Sequence, residues 1–212
     1  MFEVEKKFIL TPEQEKSLIE GAEFLGEKKM IDICYDGPDY SLTRQDIWLR
    51  NRNGKFELKL PMNVAIEERI SDQYRELETD EEILKYFGAG SDENLTDFLA
   101  KNKYVPICTF VTTRRKYKKE GFGIDLDSMD FGYSVAEIEC MVEDPSTDST
   151  GSLRAGSGQA ESKISQAAEA IIVFAKRHYI DTESVVRGKF VEYVWRNNRQ
   201  HFQALINAKV IK

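Results

Sequence analysis

Ile124-Asp125-Leu126-Asp127-Ser128-Met129-Asp130-Phe131-Gly132-Tyr133-Ser134-Val135-Ala136-Glu137-Ile138-Glu139 decides the fold. Apolar and acidic residues alternate on both sides of Asp130-Phe131-Gly132, the pattern of two strands joined by a tight turn. Side chains alternate across a strand, so Asp125 and Asp127 share a face, and so do Glu137 and Glu139. Ile124, Leu126 and Ile138 take the opposite face. Carboxylates at i and i+2 repel one another unless something cationic lies between them.

The same alternation recurs outward from this hairpin. Glu3, Glu5 and Lys7 point one way, with Val4 on the other side. Trp48, Arg50 and Arg52 share a face, as do Glu57 and Lys59, then Thr112 and Arg114. Asn53-Gly54 between Trp48–Arg52 and Lys55–Lys59 is a two-residue hairpin signal. Strands are expected at Glu3–Leu10, Lys29–Tyr35, Ile47–Arg52, Lys55–Leu60, Glu67–Glu76, Cys108–Lys118, Phe122–Met129 and Tyr133–Val142. Thr11-Pro12-Glu13-Gln14 opens a helix that should run to about Phe24, with Gly26 as its stop. Further helices are expected at Thr79–Phe87, Asp92–Asn102, Lys163–His178, Lys189–Trp195 and Arg199–Ala208. The Ser/Gly-rich stretch 144–162 reads as a flexible loop inside a single domain spanning 1–212.

This is an α+β pattern, and two architectures fit it. One is an antiparallel sheet with a wet, charged outer face. The other is an eight-stranded closed β-barrel with the charges inside and the helices packed outside. The helices need an apolar sheet surface to pack on, and the charged faces hold little Ser, Thr or Gln, which favours the barrel. Acid pairs such as Glu3/Glu5 and Glu137/Glu139 ask for a divalent metal, and Arg and Lys on facing strands ask for a polyanion.

Composition narrows the chemistry. Asp and Glu number 37 against 30 Lys and Arg, a net charge of −7, which argues against a nucleic-acid binder working by bulk charge. A small anionic ligand in a local basic cluster stays open. No apolar run approaches the ~20 residues of a membrane span, and the start lacks a signal-peptide core. Cys34, Cys108 and Cys140 are no disulfide framework, so the expectation is a reduced, cytoplasmic, soluble protein. With only His178 and His201, and no Cys-x-x-Cys, Gly-x-Ser-x-Gly or Gly-x-x-x-x-Gly-Lys, the working groups must be carboxylates, Lys and Arg.

Glu3-Val4-Glu5-Lys6-Lys7 is similar to the Glu-x-Glu-x-Lys opening of the CYTH family, the triphosphate tunnel metalloenzymes. Trp48-Leu49-Arg50-x-Arg52 and Phe56-Glu57-Leu58-Lys59 resemble its second and third motif strands. Tyr74-Arg75-Glu76-Leu77, Phe110-Val111-Thr112-Thr113-Arg114 and the stretch Ile124–Glu139 resemble its animal thiamine triphosphatase branch, and the likeness covers most of residues 1–195. It implies a tunnel formed by an eight-stranded antiparallel barrel that acts on a small-molecule triphosphate with Mg²⁺ or Mn²⁺; the chain is expected to be a monomer. Carried over by position, Glu3, Glu5, Asp125, Glu137 and Glu139 would hold the metal or its waters. Lys7, Arg50, Arg52, Lys59, Arg114 and Lys189 would grip the triphosphate, with Asp125 and Glu137 also at the substrate and Lys59 in the catalytic place. Trp48 would stack on a thiazolium ring, since an indole face attracts a cation. The implied reaction is hydrolysis of the terminal phosphoanhydride of thiamine triphosphate. A tripolyphosphatase, a nucleotide cyclase and a non-catalytic polyphosphate-binding module are the alternatives.

One position departs from the family. Many of its hydrolases carry a Tyr that pairs with the Lys matching Lys59, and Cys34 stands there instead, with Tyr35 expected on the opposite face. A buried small hydrophobe is the ordinary fate of such a cysteine.

Overall fold

Period-two alternation carries through to eight strands among the described residues, which are 2–61, 74–90, 93–142 and 157–211, with backbone alone at 2–3 and 157–161 in this computed structural model. The strands are β1 (Phe2–Phe8), β2 (Glu23–Asp36), β3 (Trp48–Arg52), β4 (Lys55–Pro61), β5 (Tyr74–Leu77), β6 (Val105–Lys119), β7 (Phe122–Met129) and β8 (Tyr133–Val142). The helices are α1 (Pro12–Ile19), α2 (Asp80–Tyr86), α3 (Leu95–Lys101), α4 (Ser157–Arg177), α5 (Lys189–Asn197) and α6 (Arg199–Asn207). The first part of the expected strand Glu67–Glu76, and the expected loop as far as 156, lie outside the described residues.

All strand pairs are antiparallel, in the order β1-β8-β7-β6-β2-β3-β4-β5. The sheet curls into a half-barrel, and among the described residues β1 and β5 are its edges. Its convex face is apolar, as the alternation requires. Val4, Phe8, Ile124, Leu126, Ala136 and Ile138 pack against Leu18 of α1 and the stripe Ile164, Ala167, Ala168, Ile171, Phe174 and Ala175 of α4. Farther round, Leu49, Leu58 and Leu77 pack on Ile83 and Leu84 of α2 and Leu95, Phe98 and Leu99 of α3. The helices therefore lie outside the curl, where hydrophobic burial places them. No helix among the described residues is long and apolar enough to cross a membrane.

Two expectations fail for identifiable reasons. The first helix stops at Ile19 rather than near Phe24, because Gly21 turns the chain at φ +72°. Residues from Glu23 then join β2, with Phe24 opposite Tyr117 and Gly26 at a register shift rather than a helix end. The concave face is also less uniformly charged than the alternation suggests. At one end it carries Cys34, Cys108, Phe110, Met129, Tyr133 and Val135, covered by Phe190 and Tyr193 of α5.

The loop between β2 and β3 is shaped by a buried carboxylate. Asp36 accepts hydrogen bonds from the backbone N–H groups of Gly37, Leu42 and Thr43 and from the Thr43 hydroxyl. That hydroxyl spends its only proton on Asp36, so at 2.7 Å from His201 Nε2 it accepts the imidazole N–H. Tyr40 stacks on the His201 ring at 3.9 Å, which ties α6 to the loop leading into Trp48.

The α4 seam tests this arrangement. Phe174 is fully buried and stacks on Phe122 at 4.5 Å. Phe174→Ala should cost about 3–5 kcal/mol of stability in denaturant unfolding, with an unchanged m-value. A loss below about 1 kcal/mol would mean that α4 does not seal the convex face.

Candidate active site on the concave face

Register and parity bring charged residues from all eight strands onto the inner face. The Cα pairs are Lys7 with Glu137, Glu5 with Glu139, Asp125 with Glu137, Asp127 with Arg114, and Asp125 with Lys116. On the other side of β2, Asp32 lies opposite Arg52, Arg50 opposite Glu57, and Lys59 opposite Glu76.

Arg114 is the hub. Its Nε and Nη2 donate to the two oxygens of Asp127 at 2.7 and 2.6 Å. Nη2 also reaches Glu137 at 2.5 Å, across the intervening strand, and Nη1 contacts Asp125. Burial opposes the charge on Arg114, but the three carboxylates outweigh it and push the pKa upward. Lys189 reaches in from the first turn of α5, 2.5 Å from Asp127 and 3.0 Å from Glu137. Gly188, which caps α5, passes close to Lys7, so the helix start and β1 meet at this cluster.

The acids differ in their surroundings. Burial would raise the pKa of Glu137, but Lys189, Arg114 and Lys7 overcome it and hold the group at about 2. Asp125 is fully buried and its pKa is raised, chiefly by burial, against the pull of Arg114 and Lys116. It has those ion contacts, yet neither oxygen takes part in an aligned hydrogen bond. The Glu139 carboxylate folds over Gly123, where a Cβ would come within 2.6 Å of Oε1, so a larger residue there would push the Glu139 side chain aside.

A second basic group lines β2 to β5. Arg52 makes a two-pronged pair with Asp32 at 2.7 and 3.0 Å, a fork geometry that phosphate oxygens can also satisfy. Arg50 donates to Glu57 at 2.6 Å, and Lys59 lies 2.6 Å from Glu76. Trp48 is at the end of the trough nearest α5, with its ring edge-on to Phe190 at 5.2 Å and its N–H donated to Asp46. Cys34 is on the floor beside Arg50. Its hydrogen bond with Cys108, with burial, pushes its pKa well above the ordinary thiol value and keeps it protonated, while Tyr35 packs outside on Phe56.

Of the candidate residues, Glu5, Lys7, Trp48, Arg50, Arg52, Lys59, Arg114, Asp125, Glu137 and Glu139 occupy the concave face and Lys189 enters it from α5. The side chain of Glu3 lies outside the described residues. Asp32, Lys116, Asp127, Glu76 and Gly123 complete the face. Asp32 and Glu76 were findable in principle, since each lies two residues from another inward position. Gly123 carries no sequence signal of its role.

Among the described residues no three acids, His or Cys converge to hold an ion, because each acid is turned toward a Lys or Arg. The donor chemistry nevertheless suits a hard divalent cation: the available ligands are carboxylate oxygens, and those of Asp125 lack aligned donors. An open depression of about 490 Å³ lies elsewhere, lined by Tyr133, Arg187, Glu192 and Arg196. Both its guanidinium groups are turned to Glu192, so it presents little free positive charge.

The sign of the Glu137 shift gives a test. A carboxylate held low in the fold stabilises it fully above its ordinary value of 4.5, and that contribution is lost as pH falls through about 2. Glu137→Gln should flatten the fall of the melting midpoint across that window. Parallel wild-type and variant curves would mean that the cation cluster does not hold Glu137.

A family model for the CYTH domain matches residues 1–187. The thiamine-triphosphatase of Macaca fascicularis is 26% identical over 232 residues, covering 100% of this chain and 92% of that protein. The PH1819 protein from Pyrococcus horikoshii OT3 superposes with a TM-score of 0.62 at 22% identity, over 93% of this chain and 100% of that one. HpAC1 from Hippeastrum, described as having a dominant triphosphatase activity, superposes at 0.54 with 17% identity, over 92% and 94%. At these identities the two structures speak to the fold. The family match spans most of the length, and with it the chain belongs to the CYTH domain family.

Proposed function

We propose that this protein hydrolyses the terminal phosphoanhydride of thiamine triphosphate, with a divalent cation, to thiamine diphosphate and phosphate. The observation that carries this reading is the inner face itself, where cations from β1, β3, β4, β6 and α5 line one trough and acids fill the gaps between them. The relatives named above support the substrate class. The proposal includes closure of the curled sheet into an eight-stranded tunnel around the ligand, and a monomer acting in the cytoplasm on a small molecule.

A triphosphate carries about four negative charges, and it would draw on cations that the internal carboxylates now pair with. On binding, Arg50, Arg52, Arg114, Lys7, Lys59 and Lys189 would exchange carboxylate partners for phosphate oxygens. The arginine forks then fix orientation as well as charge. Glu3, Glu5, Asp125, Glu137 and Glu139 would hold Mg²⁺ or Mn²⁺, which when bound neutralises charge on the phosphate oxygens. Lys59 takes the catalytic place, stabilising charge on the attacked phosphoryl group. Cys34, held as a thiol, supplies no base, so catalysis rests on positioning and electrostatics.

Inorganic tripolyphosphate is the second reading. It is favoured by the make-up of the trough, in which the cations suited to phosphate outnumber the rings suited to an organic group. The lack of a base at Cys34 favours a polyphosphate-binding module that does not turn over.

Phosphate release from thiamine triphosphate, tripolyphosphate and ATP with Mg²⁺ separates these readings. The expected order places thiamine triphosphate first. Arg50→Ala removes one grip, and its partner Glu57 is not deeply buried, so the fold should survive. It should lower kcat/KM by the equivalent of about 2–4 kcal/mol, roughly 30- to 1000-fold. Ligand-dependent stabilisation without phosphate release would leave the binding module standing and overturn the enzyme.

A further inference from the structure

At the α5 end the trough changes character. Asp46 ends the single 3-10 turn Thr43–Gln45 in a left-handed conformation, at φ 62°. A short polar side chain tolerates that geometry better than most, and it turns the nearly buried carboxylate back over β3. One of its oxygens, Oδ1, accepts both the Trp48 indole N–H at 2.8 Å and the Tyr74 hydroxyl at 2.8 Å. Tyr74 shares its face with Glu76, and Trp48 shares its face with Arg50, so both rings belong to the inner surface. Trp48 is fixed a second time by the Phe190 ring, which itself stands edge-on to His201 at 5.5 Å.

Two aromatic rings bridged by a carboxylate are poorly suited to a phosphate, which the anion would repel. They suit a planar group carrying positive charge, attracted by the ring faces and by the carboxylate together. The next inward residues, Arg50 on β3 and Lys59 opposite Trp48, are cations. The trough thus runs from a place for a cation to a place for phosphates within one strand step.

We propose that Asp46 is a specificity-determining positioning residue: by holding Trp48 and Tyr74 through one oxygen, it builds a subsite for the cationic, aromatic ester group of an organic triphosphate. The inference rests on the triphosphatase reading and names the part of the site that separates an organic from an inorganic substrate. Asp46 acts through the two rings it orients and through its charge, not on the phosphorus.

The test compares thiamine triphosphate with tripolyphosphate in the full-length protein with Mg²⁺, as the ratio of the two kcat/KM values. Asp46→Asn removes the charge while leaving an acceptor oxygen, and should reduce that ratio about tenfold, mainly through KM for the organic substrate. Tyr74→Phe removes only the hydroxyl and should shift the ratio in the same direction, by about threefold. Parallel losses on both substrates, or no change in the ratio, would reduce Asp46 to a structural residue and overturn the proposal. If Asp46→Asn does not fold, the Tyr74→Phe ratio decides. Binding separates this failure from failure of the enzyme reading. In a Trp195→Phe background Trp48 is the sole tryptophan, and with indole-selective excitation thiamine diphosphate should quench it with an affinity that Asp46→Asn weakens about tenfold. Pyrophosphate affinity should change by a smaller factor. Equal changes for both ligands would sink the subsite even in a protein that releases no phosphate.

Discussion

The pairing of Arg114 with Asp125, Asp127 and Glu137 is the interaction on which the rest depends. Three carboxylates from β7 and β8 are drawn into a space that water scarcely reaches, and without a cation between them their desolvation and mutual repulsion would open the sheet. One guanidinium from β6, joined at Asp127 and Glu137 by Lys189 from α5, offsets their charge, and the Asp125 oxygens are left without aligned donors. The site is therefore preorganised but internally neutralised. A ligand gains little from contact alone, because each phosphate oxygen must replace a carboxylate. Carboxylates displaced in this way would need a cation of their own, which gives the proposed polyphosphate and divalent metal a physical reason to bind together.

That internal pairing also sets the outer architecture. With the charges turned inward, the convex surface is left apolar, and α1 and α4 cover one half while α2 and α3 cover the other. Helix α5 breaks the symmetry. It seals one end of the concave face over Phe110, Met129 and Val135 and brings Lys189 to the acids from the same turn. The trough therefore carries aromatic rings around Trp48 and Phe190 and its most concentrated charge along β7 and β8, where Lys189 meets the acids.

Much of this was legible because a strand has period two. Once Asp125, Asp127, Glu137 and Glu139 were assigned a face, the cations on β3, β4 and β6 followed by parity, and Asn53-Gly54 fixed the β3–β4 hairpin. Parity is silent about curvature and about what covers each end. The inward turn of Phe110 and Met129 was missed for that reason, since an apolar residue among charged ones reads as an exception until a helix is seen to cap it. Residues 20–26 misled because Glu and Leu suit a helix locally, whereas their pairing with β6 is a tertiary choice. Gly123 and Asp46 act through close approach and a single hydrogen-bond geometry, neither of which leaves a trace in spacing.

The triphosphatase reading requires a triphosphate to bind on the concave face. A crystal structure with tripolyphosphate and Mn²⁺ tests it most directly. The expected result is phosphate oxygens on Arg50, Arg52, Arg114 and Lys189 in place of their present carboxylates, with anomalous signal from Mn²⁺ beside Asp125, Glu137 and Glu139. Ligand bound on the outer surface, with the Arg114 cluster still closed on its own acids, would contradict it.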